Sequence, residues 1–210
     1  MSEAARSVPR SMEASGGPAV RRVSSQRVAR PNGWWGVVVL VASEATLFGA
    51  LFGSYFFLRF KSVTWPPPGI EPPKVVVPLI LAGVLATTSV PMAIASHAAR
   101  AGRLRLTRVS ILLALVVQSG YFAYAIHAYR SDLDKFTPQD NAYGSIYFTL
   151  LGADHAHVAI GLLLNAFLLA RLATGLTAYR AVGVRAASLY WHFVNLLTLL
   201  VIGAILSASV

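Results

Sequence analysis

Only a few side chains in this sequence could do chemistry inside an otherwise apolar chain. Glu44 is the single charge in VVVLVASEATLFGALFGSYFFL, residues 37 to 58. Asp154, His155 and His157 cluster in YGSIYFTLLGADHAHVAIGLLLN, with Asn165 further along. Ser188, His192 and Asn195 recur at spacings of four and three, and so do Gln118 and Tyr121 at three; helical periodicity puts each set on one face. A carboxylate and imidazoles could bind a metal, carry protons or hold helices together. A metal centre wants three or four convergent ligands. His97 and His127 fall at opposite ends of their segments, which leaves Asp154, His157 and one of Glu44 or His192 at mid-depth. A hydrogen-bonded network through Glu44, Gln118, Tyr121, Asp154, His157, Ser188, His192 and Asn195 is therefore expected in place of a metal, because polar groups in hydrocarbon need partners.

These residues need helices to hold them. The chain has 210 residues, 56% of them hydrophobic and 12% charged, with a mean hydropathy of +0.61. Soluble domains carry about twice that charge, so composition points to a membrane protein. A spanning helix needs about 20 apolar residues. Five segments qualify: about 34–58, 75–97, 109–129, 143–169 and 187–206. The expected architecture is an all-α integral membrane bundle of five transmembrane helices, residues 33–210, preceded by a basic disordered tail, residues 1–32. Pro91 is placed to kink the second helix. Gly49 and Gly53 give the first helix a G-x-x-x-G groove for close packing.

At about 1.5 Å per residue, Glu44 sits roughly 15 Å into its helix, near the midplane. A charge there costs about 2.5–3.5 kcal/mol on insertion scales, so it should be neutral or paired and face protein rather than lipid.

Charge distribution suggests orientation. The tail holds six Lys or Arg, the second connection four and the fourth three, against three in the first and two in the third. The positive-inside rule then predicts a cytoplasmic N-terminus and an external C-terminus. The formal charge of +10 is read as an orientation signal, and no nucleic-acid partner is expected. The tail lacks the apolar core of a signal peptide, while its six Arg against two Glu would suit a transit peptide. With no cysteine, disulfides, thiolate chemistry and covalent haem attachment through Cys-x-x-Cys-His are excluded. No nucleophile–base arrangement or phosphate loop is evident. The residues alone leave a transporter, a proton-handling subunit and a scaffold open.

WWGVVVLVASEATLFGALFGSYF, LGADHAHVAIG and YWHFVN, in that order, resemble the signatures of subunit III of haem-copper terminal oxidases, the cytochrome c oxidase subunit 3 family. The resemblance covers most of residues 34 to 208 and is to a shorter form than the seven-helix members, lacking their first two helices. It implies a non-catalytic subunit of a proton-pumping oxidase that reduces oxygen with electrons from cytochrome c or quinol. Such a subunit packs against subunit I, binds phospholipid, sustains proton uptake and protects the catalytic subunit from turnover inactivation. It carries no haem or copper of its own; these belong to partner subunits. Subunit II, a small subunit IV and a respiratory supercomplex are further expected partners, in a bacterial inner membrane. Glu44 matches the family's intramembrane glutamate, associated with proton uptake and carbodiimide reactivity. His157 matches the second histidine of its signature, and His192 that of its Trp-His-Phe motif. Asp154 stands where the first histidine is usual, Asn195 where aspartate is common, and Arg185 where glutamate is frequent. The family's lipid cleft lies between its first two helices and the rest, so here another subunit would have to wall it. The alternatives are a subunit associated with nitric oxide reductase and a stand-alone membrane transporter.

Overall fold

The computed structural model describes residues 32 to 209; the expected tail lies almost wholly outside them. Helices α1 (Asn32–Lys61), α2 (Val76–Thr87), α3 (Ser89–Arg100), α4 (Leu104–Leu133), α5 (Ala142–Leu172) and α6 (Ala178–Leu206) are followed by a 3-10 turn at Ser207–Ser209. Among the described residues, α2 and α3 count as one span, so five helical spans are long and apolar enough to cross a membrane.

The second segment is one span interrupted at a single residue, Thr88, which keeps helical φ −65° and ψ −14°. α2 ends at Thr87, Thr88 forms a turn, and α3 starts at Ser89. Pro91 explains the position: it has no N–H to give the Thr87 carbonyl four residues back, and its ring crowds that carbonyl. The Thr88 N–H bonds Leu85 O at 3.0 Å instead, a tighter turn than α.

Helix ends follow capping more than hydropathy. α6 begins at Ala178, ahead of the apolar run at 187, because the Thr177 hydroxyl accepts from Arg180 N at 3.2 Å. Asn141 caps α5 in the same way, with Gly144 N donating to its Oδ1 at 2.8 Å. At the other end, one guanidinium caps α5 and a second holds the turn beyond it. Arg108 of α4 donates to Leu172 O through Nε at 3.1 Å and through Nη2. Arg180 Nη1 donates to Gly175 O at 2.6 Å. Cations belong at that end of a helix dipole. Gly175 turns the chain between α5 and α6 with φ +108°, a conformation that needs glycine.

α6 is the central helix, packed against α1, α2, α3 and α5. Trp191, fully buried, lies flat against Gly161 of α5. A Cβ on Gly161 would stand 2.6 Å from Trp191 Cζ2, so glycine is what lets the two helices close. α1 is the most peripheral: it touches α5 and α6 through Phe48 and Tyr55 and leaves Val39, Leu47 and Phe57 exposed. At the far end from the α5–α6 turn, Trp65 of the proline-rich connection donates to Tyr55 OH at 3.2 Å and meets Tyr143 edge-on at 4.9 Å.

Gly161→Ala is expected to cost about 1–3 kcal/mol by overpacking, while Gly120→Ala, where a Cβ would meet nothing within 4 Å, should be neutral. Thermal unfolding of both variants in detergent checks this; equal melting temperatures would show that the indole simply moves aside.

Candidate functional site

The polar residues of the bundle form three groups rather than one continuous network. The first joins α1 to α5. His157 Nε2 lies 2.9 Å from Glu44 Oε2, close but not aligned as a hydrogen bond. His157 Nδ1 is 2.7 Å from Ala153 O on its own helix. A carbonyl can only accept, so Nδ1 carries a proton. That leaves Nε2, on the other side of the ring, facing the Glu44 carboxyl, so the imidazole stands between the backbone of α5 and the one carboxylate of α1. Phe48, edge-on at 5.3 Å, holds the imidazole ring, and Tyr190 OH donates to His157 O at 2.9 Å. The pair is only partly enclosed: the side chains of His157 and Glu44 are 11% and 21% exposed, while Glu44 Oε2 itself is buried.

The second group joins α5 to α6. Asp154 is fully buried, and Thr198 Oγ1 donates to its Oδ1 at 2.8 Å. Its Oδ2 has no protein partner. Asp154 and His157 share a face by spacing, yet one reaches α6 and the other α1.

The third group closes around the α2–α3 break. Thr88 Oγ1 donates to Leu85 O at 2.6 Å and accepts from Gln118 Nε2 at 3.3 Å and Asn195 Nδ2 at 3.2 Å. Asn195 Nδ2 also reaches Ser89 Oγ at 2.8 Å, and Asn165 Nδ2 donates to Gln118 Oε1 at 2.9 Å. Side chains from the break, α4, α5 and α6 are thus linked. Thr88, Ser89, Asn165 and Thr198 complete these groups. Their signal was the TTSVP sequence inside an apolar run and the Asn on the α5 stripe.

Two members of the expected network stand apart from it. His192 is exposed, although its Nε2 lies 3.4 Å from buried Ser188 Oγ. Gly49 and Gly53 leave their side of α1 open among the described residues, where a Cβ on either would meet nothing within 4 Å. Tyr121 is buried but makes no side-chain hydrogen bond among the described residues. His155 is also buried, edge-on to Tyr129 at 5.5 Å, with Nδ1 unpartnered. Among the described residues no three His, Cys, Asp or Glu converge to hold a metal.

Thr88→Val should cost about 1–3 kcal/mol by stranding the buried Gln118 amide, and Thr88→Ser should restore most of it. Chemical or thermal unfolding in detergent reads the difference; a valine variant as stable as the parent would mean the amides find other partners.

The chain matches the family described as "Cytochrome c oxidase subunit III" over residues 26–206. It is 33% identical over 174 residues to "Cytochrome c oxidase subunit 3" of Pisaster ochraceus, covering 79% of this chain and 65% of that protein. The protein of the same name from Branchiostoma lanceolatum is 32% identical over 174 residues, covering 78% of this chain and 64% of that one. That from Lumbricus terrestris is 31% identical over 168 residues, with 77% and 64% covered. The chain therefore spans just under two thirds of the length of these relatives. The expectation of a bacterial membrane is overturned by them: they are animal proteins and point to a mitochondrial membrane. Three ordered signatures, five apolar spans and a match over most of the length agree, and the chain belongs to the cytochrome c oxidase subunit III family.

Proposed function

We propose that this chain is a non-catalytic subunit of a proton-pumping haem-copper oxidase, where it supports subunit I and sustains proton uptake during oxygen reduction. The observation that carries this reading is the Glu44–His157 pair: a carboxyl and an imidazole 2.9 Å apart within a membrane span, on a helix that the rest of the chain leaves largely uncovered. Oε2 is buried against the imidazole, and the exposed remainder of the two side chains is placed where a neighbouring subunit could cover it. The exposed face of α1 beside it, smooth at Gly49 and Gly53, suits a close helix contact with subunit I.

Family membership supports haem and copper in partner subunits, with subunit II, a small subunit IV and a supercomplex as further associations. The basic connections favour an orientation with the N-terminus on the inner side of the membrane and the C-terminus on the outer side. The comparisons lend no support to a nitric oxide reductase association or to a stand-alone transporter. A transporter of the inverted-repeat kind would need matched broken helices; among the described residues the break at Thr88 has no counterpart in a second span.

Purification of the tagged chain in mild detergent should bring down a haem- and copper-containing partner that consumes oxygen. A chain that comes away alone, or with a nitric oxide-consuming partner, would overturn the assignment. Glu44→Gln should leave assembly intact, since the amide keeps the shape, yet shorten the active lifetime of the oxidase severalfold during turnover. Unchanged inactivation kinetics and proton uptake in a fully assembled variant would reduce the pair to a packing element.

A further inference from the structure

A groove of about 690 Å³ runs along the outside of α3, well away from the Glu44–His157 pair. Ser89, Val90, Ala93, Ile94, His97 and Ala98 line its length, and Arg103 and Leu106 at the start of α4 close one side. From Ser89 to Ala101 the helix rises roughly 18 Å at 1.5 Å per residue. That is the depth of one bilayer leaflet, about half of a 30 Å core. The groove's inner end is apolar apart from Ser89, with Val90 and Ile94 exposed along it. Its mouth is basic. His97, Arg100 and Arg103 are all exposed there, and Arg100 Nη2 lies 3.5 Å from His97 Nδ1.

Among the described residues, no carboxylate pairs with the charges at the mouth. No Asp or Glu occurs between Lys74 and Ser131, nor between Ala173 and the end of the chain. Those stretches contain both turns at this end of the bundle. Arg105, two residues along α4, is also exposed and adds to the positive field, while Arg108, further along, is occupied by Leu172 O. Arg103 makes no side-chain hydrogen bond among the described residues. A partner helix would bury an unpaired guanidinium at considerable cost, whereas a phosphodiester would satisfy it with a charge-assisted bond.

We propose that the α3–α4 groove holds one anionic phospholipid, its phosphate between Arg103 and His97 and an acyl chain along Val90, Ala93 and Ile94 toward Ser89. The long apolar trough matches the tail and the basic mouth matches the head, at the depths where a lipid presents each. None of its lining residues lies on α1, so it is separate from any cleft that another subunit might wall there. It rests on the membrane-spanning reading alone and not on the oxidase role, and its readout is lipid binding, whereas that role is tested by co-purification and turnover.

The test is native mass spectrometry of the full chain in detergent, titrated with phosphatidylglycerol or phosphatidylcholine of identical chains. Phosphatidylglycerol should bind the more tightly. Arg103→Gln should weaken it about fivefold, the worth of one basic group near a membrane surface, and weaken phosphatidylcholine less, because its phosphate is offset by its own ammonium. Arg103→Lys should retain most of the preference, which separates charge loss from misfolding. Ala93→Trp, which fills the trough, should weaken both lipids. Equal binding of the two lipids by the parent chain would overturn the proposal. So would an equal loss in Arg185→Gln, which removes the same charge outside the groove, because the attraction would then be diffuse. A photoreactive group at Ile94 should label lipid in native membranes; labelling of a protein instead would make the groove an interface and sink the lipid assignment.

Discussion

A single hydroxyl has every bond it can make in use at the centre of this bundle. Thr88 Oγ1 donates to the Leu85 carbonyl and accepts from the amides of Gln118 and Asn195, which exhausts one donor and two lone pairs. The constraint behind it is the absence of water in hydrocarbon. Pro91 removes a backbone donor and interrupts the second span; the polar groups exposed by that break must be met from within the protein. The hydroxyls of Thr87 and Thr88 meet the Val84 and Leu85 carbonyls, amides from α4 and α6 in turn meet the Thr88 hydroxyl, and Asn165 of α5 bonds the far end of Gln118. Helix packing follows from this. α6 sits at the centre, Trp191 lies on Gly161, and α1 is left at the periphery with little of its surface covered.

That peripheral position gives the Glu44–His157 pair its character. Had α1 been central, the same two residues would form a closed internal pair, costly to assemble and inert once made. Placed at the margin, the pair keeps partial access on one side while Phe48 and the Ala153 carbonyl hold the imidazole from the other. Asp154, three residues earlier, illustrates the contrast. It is bonded to Thr198 and fully enclosed, which suits a group that ties α5 to α6.

Much of this was legible in the residues. A lone carboxylate in an apolar run announced Glu44, and helical spacing picked out His157, Gln118 and Asn195. Their partners were harder to read because adjacency of α1 with α5, or of the Thr88 break with α6, is a property of the packed bundle. Hydroxyl residues also hide well: Ser and Thr can satisfy themselves on their own helix, as Ser43 and Thr46 do, so nothing distinguished Thr88 from them except the nearby proline. His192 shows the limit of periodicity. With Ser188 as reference, Asn195 lies about 20° to one side and His192 about 40° to the other. The edge of the buried face falls between them, and one polar stripe divides into an inner and an outer part.

Arg108 and Arg180 have a consequence that concerns time rather than position. Positive residues bias insertion while the chain is still threading into the bilayer, before any tertiary contact exists. Once the bundle has closed, Arg108 caps the last carbonyl of α5, where it complements the helix dipole, and Arg180 holds the Gly175 carbonyl in the turn that follows. The same side chains therefore act twice: as a freely solvated steering signal during biogenesis, and as bonded clasps in the finished fold. Replacing either with glutamine would remove an early cue and a late clasp together, so a topological defect and a folding defect at this corner would be inherited as one.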